Sequence, residues 1–313
     1  MVAIVISVII PVYNEVQNIP LLYRELSGVL QKASHSYEII FIDDGSRDGT
    51  GELLERMEHD DKHLRVFRFR RNLGKSAALN LGFREAKGDI IFTMDGDLQD
   101  DPNEIPRFIA KITEGYDLVS GWKKVRRDPI GKRIPSKIFN WLVRTITKVP
   151  VHDSNCGFKA YRAEVTHNLK VYGELHRYIP SLVFWKGYKV TEIPVHHRAR
   201  KYGKSKFGFS RLIKGFLDLL TIRYLVTYQY RPMHFFGTVG ILSVASGTLL
   251  GLVLAYLSLI KHIIILRPLL FLALLLVIVG MQLFSTGLLG EMIAHSNENS
   301  ENDLKGCLIP SRK

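Results

Sequence analysis

The segment IIFTMDGDLQDDP, residues 90–102, decides the fold of this 313-residue chain. It opens with a short run of apolar and β-branched residues, which is typical of a buried strand. Two carboxylates follow where that strand must end, and Asp101-Pro102 then begins a stretch with apolar residues at helical spacing. The order of strand, polar loop and helix is the repeating unit of an α/β fold.

The same unit recurs throughout the first 120 residues. Predicted strands are Val5–Ile10, Tyr37–Ile42, Leu64–Phe69, Ile90–Met94 and Leu118–Ser120. Predicted helices are Asn18–Lys32, Gly51–His59, Lys75–Ala86 and Pro102–Thr113. This alternation predicts a parallel sheet with helices on both faces. Because ligands of such sheets bind at the carboxyl ends of the strands, the loops after Ile10, Ile42 and Met94 are expected to meet in one crevice.

The C-terminal part of the chain reads as a membrane anchor. The uncharged stretches Phe235–Ile260 and Pro268–Gly290 each exceed the roughly 20 residues that span a bilayer. The short loop Lys261–Arg267 makes them a two-helix transmembrane hairpin, and the Lys and Arg residues before it place the polar part in the cytoplasm. Gly247-x-x-x-Gly251 is either a packing seam, within the chain or in a homo-oligomer, or a pair of small lipid-facing residues.

Charge and cysteine content narrow the partners. The net charge of +13 suggests a partner rich in phosphate. The basic residues cluster in Trp122–Lys148 and Arg198–Lys214, close to the membrane helices, which disfavours nucleic acid. Phe209–Tyr224 is predicted to be a basic amphipathic helix in the membrane interface. Cys156 and Cys307 are too few for a disulfide framework and fit a reducing cytoplasm.

These patterns predict four regions along the chain. They are a catalytic domain at 1–207, an amphipathic juxtamembrane segment at 208–231, two transmembrane helices at 232–292 and a polar tail at 293–313.

Three loops carry the polar residues that could perform chemistry. Asp95, Asp97 and Gln99 offer oxygen ligands for Mg²⁺ or Mn²⁺, although a solvated acidic turn that caps the next helix is the alternative. Asp43 and the residues that follow it could contact a base or ribose, or form a tight turn. Tyr13 could stack on a base or lie in an ordinary loop. The chain has no dinucleotide-binding glycine motif and no Walker loop.

Four motifs in order give the chain a family resemblance. They are Val8-Ile9-Ile10-Pro11-Val12-Tyr13-Asn14-Glu15, Asp43-Asp44-Gly45-Ser46, Arg71-Asn72-Leu73-Gly74-Lys75 and Asp95-Gly96-Asp97-Leu98-Gln99. Together they resemble glycosyltransferase family 2, in particular the polyprenyl-phosphate branch typified by dolichol-phosphate mannose synthase. The resemblance covers about residues 4–230. It implies a GT-A (Rossmann-like) fold, an inverting mechanism, a nucleotide-sugar donor and a divalent metal.

The resemblance also assigns roles on the donor side. Pro11, Tyr13, Glu15 and Asp43 would contact the nucleoside. Asp97, as the central catalytic carboxylate, and Gln99 would hold the metal. Asp95 and Gly96 would lie on the donor, with Asp95 as a further metal ligand.

On the acceptor side, Asp153 matches the catalytic acceptor-side Asp of the family. Arg200 and Lys206 match basic residues that bind phosphate, and Arg177 matches another. The chain departs from the family at Trp122-Lys123-Lys124, where relatives often have an Arg, and this puts a phosphate-binding role there in doubt. The absence of a Gln-x-x-Arg-Trp motif points to transfer of a single sugar.

The expected reaction is transfer of one hexose from a UDP- or GDP-linked donor to undecaprenyl or dolichyl phosphate at the cytoplasmic face. A phosphate monoester has a second pKa of about 6, so this acceptor is already anionic and needs positive charge more than a base. The alternative is a hydroxyl acceptor, for which Asp153 would be the general base. A non-catalytic membrane protein that binds nucleotide-sugars is a further, weaker alternative.

Overall fold

In the computed structural model of this chain, the described residues are 4–33, 35–124, 140–198, 231–260 and 267–298, together with 221, 224 and 228. They form two compact units, a sheet with its helices up to residue 198 and a pair of long C-terminal helices. Most of the expected interfacial helix lies outside the described residues. Arg200 and Lys206 lie outside them as well. The four region boundaries therefore stay predictions.

A seven-stranded sheet forms the centre of the first unit. Its strands are β1 (Val5–Val12), β2 (Ser36–Asp43), β3 (Leu64–Arg68), β4 (Ile90–Thr93), β5 (Leu118–Trp122), β6 (Lys159–Arg162) and β7 (Val190–Pro194). Their order across the sheet is β3-β2-β1-β4-β6-β5-β7. The pairs β3-β2, β2-β1, β1-β4 and β5-β7 are parallel.

The helices of this unit cover the sheet. They are α1 (Ile19–Lys32), α2 (Thr50–Asp60), α3 (Lys75–Glu85), α4 (Ile105–Thr113), α5 (described over 140–147), α6 (Ala163–His167) and α7 (Ile179–Trp185). In α4 the buried residues Ile105, Phe108 and Ile112 recur at helical spacing, which gives the helix one apolar face. Phe108 packs against Phe92 of β4 and against Phe158, with ring centroids 6.0 and 4.5 Å away.

The five predicted strands all run in the same direction, as expected, but the sheet also contains β6, which was not predicted from the sequence. β6 lies between β4 and β5 and runs antiparallel to both. It has only four residues, two of them basic, so it lacks the β-branched run by which the parallel strands were recognised. Since β6 runs in the opposite direction, its first residue, Lys159, lies at the edge where β4 and β5 end.

The first strand continues through Pro11, although the predicted strand ended before it at Ile10. β1 continues to Val12, paired with β2 up to Asp43. The carbonyl of Ile9 accepts a hydrogen bond from Met94 N–H, so the backbone groups of Ile9 point toward β4. Because a strand alternates with a period of two residues, the backbone groups of Pro11 point the same way. The ladder with β4 ends at Ile9, and the missing N–H of Pro11 therefore costs no ladder hydrogen bond.

The second unit is an antiparallel helical hairpin of α8 (Pro232–Leu259) and α9 (Arg267–Glu298). Both helices are long and apolar enough to cross a membrane. Only 17% and 11% of their most apolar windows are buried, whereas core helices of soluble proteins are mostly buried. They are therefore candidate membrane spans, as predicted. α9 ends at Glu298, six residues beyond the expected end of the second span at 292.

Glycines bring the two helices close together. A Cβ atom at Gly240 would lie 2.7 Å from the carbonyl oxygen of Gly280, and the reverse distance is also 2.7 Å. Gly247 is similarly close to the Ala273 carbonyl, at 2.8 Å, whereas Gly251 has open space around its Cα. Of the Gly-x-x-x-Gly pair, therefore, only Gly247 packs within the chain.

We expect Gly280→Ala to destabilise the hairpin, because the added methyl group would meet the carbonyl of Gly240. Overpacking of this kind costs about 1–3 kcal/mol. The measurement is the thermal unfolding midpoint of the full-length protein in detergent. Gly251→Ala is the matched control and should not lower the midpoint, since its methyl group meets nothing within 4 Å. Equal midpoints for the two variants would contradict this description of the seam.

Candidate active site

The loops that follow β1, β2 and β4 lie side by side, because these strands are neighbours and parallel. Direct hydrogen bonds join the first two loops. Asn14 N–H donates to Ser46 Oγ at 2.8 Å, and Arg47 N–H donates to Asn14 Oδ1 at 2.9 Å. Asn14 itself has a left-handed backbone with φ of 55°, which lets the chain turn sharply after β1. The loops after β1 and β2 therefore meet at this edge of the sheet, as predicted.

Two neighbouring carboxylates, Asp43 and Asp44, organise the loop after β2, which was predicted to contact the nucleoside. Asp43 is fully buried; its Oδ1 accepts a hydrogen bond from Ser46 N–H at 2.9 Å, and its Oδ2 lies 3.3 Å from Arg68 Nε. The carboxylate of Asp44 accepts hydrogen bonds from Leu73 N–H at 2.7 Å and from Gly74 N–H at 3.0 Å. Asp44 therefore holds the Arg71–Lys75 motif beside the crevice.

The other residues predicted for the nucleoside side lie at the same edge. Pro11, Tyr13 and Glu15 are all partly exposed. The carboxylate of Glu15 accepts a hydrogen bond from Asn18 Nδ2. Gly96 is buried below them, where a Cβ atom would lie 2.7 Å from Val12 Cγ1.

Asp95 lies within a cluster of lysines. The ammonium group of Lys75, in the first turn of α3, donates a hydrogen bond to its carboxylate. Burial by itself would raise the pKa of Asp95. The charges of Lys75, Lys123 and Lys159 outweigh burial and hold this pKa well below its usual range. Asp95 is therefore a carboxylate at any physiological pH.

Gly157 fixes the position of Asp95 from the other side. A Cβ atom at Gly157 would lie 2.5 Å from Cγ of Asp95, so no larger residue fits there without moving the carboxylate. Thr93 Oγ1 donates to the Gly157 carbonyl at 2.8 Å and joins this loop to the end of β4.

Asp97 and Gln99 lie in the same loop as Asp95, residues 95–99, which we call the acidic loop. Leu98 has a left-handed backbone with φ of 62°, and Gln99 N–H donates to Asp97 Oδ1 at 3.2 Å. Arg198 N–H donates to the Gln99 carbonyl at 2.9 Å. The chain that continues from Arg198 toward Arg200 thus starts beside the acidic loop.

These residues fit a divalent cation that is shared with a substrate. Within the described ranges, no group of three or more His, Cys, Asp or Glu side chains is arranged to hold a metal. Mg²⁺ commonly takes one or two protein carboxylates and completes its shell with water and phosphate oxygens. Asp97 and Gln99 match such a partial set, whereas Asp95 is engaged by lysine.

Asp153, which was predicted to serve the acceptor side, lies in the loop before β6 and is almost fully buried. Its Oδ1 accepts a hydrogen bond from Asn140 Nδ2 at 3.3 Å, and its carbonyl accepts one from Ser120 Oγ at 3.5 Å. Arg177 is also buried and forms an ion pair with Glu174.

The departure from the family at Trp122 has a structural explanation. Lys123 Nζ lies 3.0 Å from Oδ1 of the buried Asp100, so this lysine serves an internal ion pair. The ring of Trp122 stacks on His152 with centroids 4.5 Å apart, and Lys124 Nζ lies 5.5 Å from the Trp122 ring.

Four residues of this site were not assigned roles from the sequence. They are Lys75, Lys123, Lys159 and His176, whose pKa burial and nearby cations hold well below its usual value. Lys75 is the last residue of the quoted motif Arg71-Asn72-Leu73-Gly74-Lys75, and Lys159 lies six residues after Asp153. That position was the available signal. No sequence motif pointed to His176, because it joins the site through a tertiary contact. Its Nδ1 lies 3.1 Å from Ser76 Oγ of α3.

Solved structures share this architecture. Glucosyl-3-phosphoglycerate synthase from Mycobacterium tuberculosis, in complex with Mn²⁺, UDP and glucosyl-3-phosphoglycerate, has a TM-score of 0.55 at 19% identity, over 70% of this chain and 80% of that one. Mannosyl-3-phosphoglycerate synthase from Rubrobacter xylanophilus has a TM-score of 0.55 at 13% identity, over 71% and 74%. The mixed sheet with its acidic loop is thus the GT-A fold of glycosyltransferases.

Sequence comparisons identify the family. The family model described as glycosyl transferase family 2 matches residues 7–171, and the chain belongs to this family. Dodecaprenyl-phosphate galacturonate synthase from Rhizobium johnstonii is 37% identical over 302 residues, which cover 93% of this chain and 88% of the relative. Undecaprenyl-phosphate 4-deoxy-4-formamido-L-arabinose transferase from Salmonella choleraesuis is 37% identical over 289 residues, with coverage of 92% and 88%. The chain is a glycosyltransferase.

We expect Gly157→Ala to lower the rate of glycosyl transfer strongly, because the new methyl group would displace the Asp95 carboxylate. A displacement of about 1 Å at a reacting centre can cost on the order of 10²-fold in rate. Steady-state kinetics of the purified enzyme measure the effect. Gly28→Ala is the control, since a methyl group in α1 meets nothing within 4 Å. Full activity of Gly157→Ala would show that Asp95 tolerates displacement.

Proposed function

We propose that this enzyme transfers one sugar from a UDP- or GDP-linked donor to a polyprenyl phosphate at the cytoplasmic face of a membrane. The observation that carries the proposal is the similarity to two relatives whose names both give a polyprenyl phosphate as the carrier. That similarity covers 93% and 92% of the chain, so it extends beyond the catalytic unit into the candidate spans. An anchor of this kind suits an acceptor that never leaves the bilayer.

The charge of the site supports an anionic acceptor. A phosphate monoester is ionised at neutral pH, because its second pKa is about 6. Its oxygen can attack the anomeric carbon opposite the leaving nucleoside diphosphate, which inverts the configuration at that carbon. Arg177 is proposed to bind the acceptor phosphate together with Arg200 and Lys206. Asp153 would then orient the acceptor rather than remove a proton.

The donor side is proposed to use the acidic loop. Asp97 and Gln99 would hold Mg²⁺ or Mn²⁺, and this ion would neutralise charge on the diphosphate as it leaves. A GT-A neighbour was solved in complex with Mn²⁺ and UDP, which supports the use of a divalent metal. Pro11, Tyr13, Glu15 and Asp43 would surround the nucleoside, with Asp95 and Gly96 beside the sugar.

A panel of donors and acceptors tests the reaction. We expect transfer to a short polyprenyl phosphate and none to the matching polyprenyl alcohol, because the alcohol is not anionic. The donors should include UDP-glucose, UDP-galactose, UDP-galacturonate, UDP-4-deoxy-4-formamido-L-arabinose, UDP-N-acetylglucosamine and GDP-mannose. Product formation is measured by mass spectrometry of the lipid fraction. Transfer to the alcohol at an equal rate would instead favour Asp153 as a general base.

We expect Asp97→Asn to abolish transfer in the presence of Mg²⁺ or Mn²⁺, because one charge on the cation ligand is lost. Removal of the metal from the wild-type enzyme with a chelator should have the same effect, and added metal should restore the rate. We expect a loss of at least on the order of 10²–10³-fold, the size seen when one preorganised electrostatic group is removed from an active site. Asp60→Asn, at an exposed carboxylate away from the crevice, is the control. Undiminished transfer without metal would overturn the metal role.

A further inference from the structure

Lys159 is a buried cation between the donor and acceptor halves of the site. It is the first residue of β6 and pairs with Thr93 of β4 on one side and with Ser120 of β5 on the other. These are the strands that end at the acidic loop and at Trp122. The charges of Asp95 and Asp153 both act on the Lys159 ammonium group. Lys159 therefore lies between the ends of β4 and β5, where both carboxylates act on its charge.

The ammonium group of Lys159 is unusual in its partners. Only 3% of the residue is exposed, and its Nζ donates a hydrogen bond to the carbonyl of Cys156. Among the described residues, no carboxylate lies within ion-pair distance of it. Burial lowers the pKa of Lys159 to about 8, in agreement with this setting. A buried ammonium without a close counter-ion is costly and is seldom kept without a use.

Through its hydrogen bond to the Cys156 carbonyl, Lys159 is linked to a loop that contains Asp153 and lies against Asp95. Cys156 belongs to the loop 153–158, which begins with Asp153 and contains Gly157, the residue that abuts Asp95. By closing this loop on itself, Lys159 sets the distance between the two halves of the site. Its charge also offsets the mutual repulsion of two carboxylates that both approach the reacting groups.

We propose that Lys159 is a positioning residue that holds the loop 153–158 and keeps Asp95 and Asp153 in register for sugar transfer. This inference rests on the proposed transfer reaction. The group acts through these two carboxylates, and its positive charge is required for that action, not only its hydrogen bond. Of the three lysines around Asp95, Lys75 binds its carboxylate directly and Lys159 places it relative to the acceptor.

Two substitutions separate charge from hydrogen bonding. Lys159→Met removes both, whereas Lys159→Gln keeps a donor for the Cys156 carbonyl and removes the charge. We expect both to lower kcat by about 10²-fold, with the KM for the donor changed by less than about threefold, because the defect is one of alignment. Lys186→Met is the matched control, since the Lys186 ammonium also donates to a backbone carbonyl, that of Asn168, at 2.8 Å.

A thermal unfolding measurement excludes a purely structural role. Replacing Lys159 by methionine removes the cost of burying a charge but also takes away the donor to the Cys156 carbonyl, and these two effects oppose each other. Lys159→Met should therefore remain folded at the assay temperature while kcat falls. The inference is overturned if either variant keeps more than half of the wild-type kcat, or if kcat falls only in proportion to a loss of folded protein.

The outcome remains distinct from that of the proposed function. If the wild-type enzyme transfers sugar only to a hydroxyl acceptor, the proposed acceptor is wrong, and the same variants still test Lys159 on that acceptor. If the wild-type enzyme uses polyprenyl phosphate and the variants match it, only the role of Lys159 fails.

Discussion

The active site depends on one physical constraint: a carboxylate that leaves water at the end of a buried strand must be matched by positive charge or by N–H donors. The three strand-end carboxylates meet it in different ways. Asp43 uses Arg68 and a backbone N–H, Asp44 uses two backbone N–H groups, and Asp95 uses lysines. Each of these interactions also fixes a neighbouring segment of chain. The contacts that neutralise the carboxylates are therefore the ones that position the loops at this edge of the sheet.

The same constraint explains the insertion of an antiparallel strand into an otherwise parallel sheet. A parallel strand between β4 and β5 would bring only its carboxyl end to the crevice. β6 instead brings its first residue, Lys159, and the preceding loop with Asp153 and Gly157. Asp95 and the loop that contains Asp153 thus come from the ends of adjacent strands, and Phe92 and Phe158 of the same region pack against each other.

Much of this could be predicted from sequence where the signal is local. The first five strands appear within one or two residues of their expected bounds, because each is a β-branched run between turns. The two candidate spans were evident from length and hydropathy alone. β6 escaped prediction because it is short and bears Lys159 and Arg162, and the partners of Lys75 could not be foreseen because Asp95 lies twenty residues away.

The sequence by itself determined the fold class, the ordered motifs of glycosyl transferase family 2 and the two apolar C-terminal helices. These properties follow from residue type and spacing along the chain, which tertiary context cannot change. Only the tertiary structure decided which cations surround Asp95, that Lys123 pairs with Asp100, and that Lys159 is buried between β4 and β5. Such contacts depend on strand order and direction. The distance between two charges depends on where the fold places them and not on their separation along the chain.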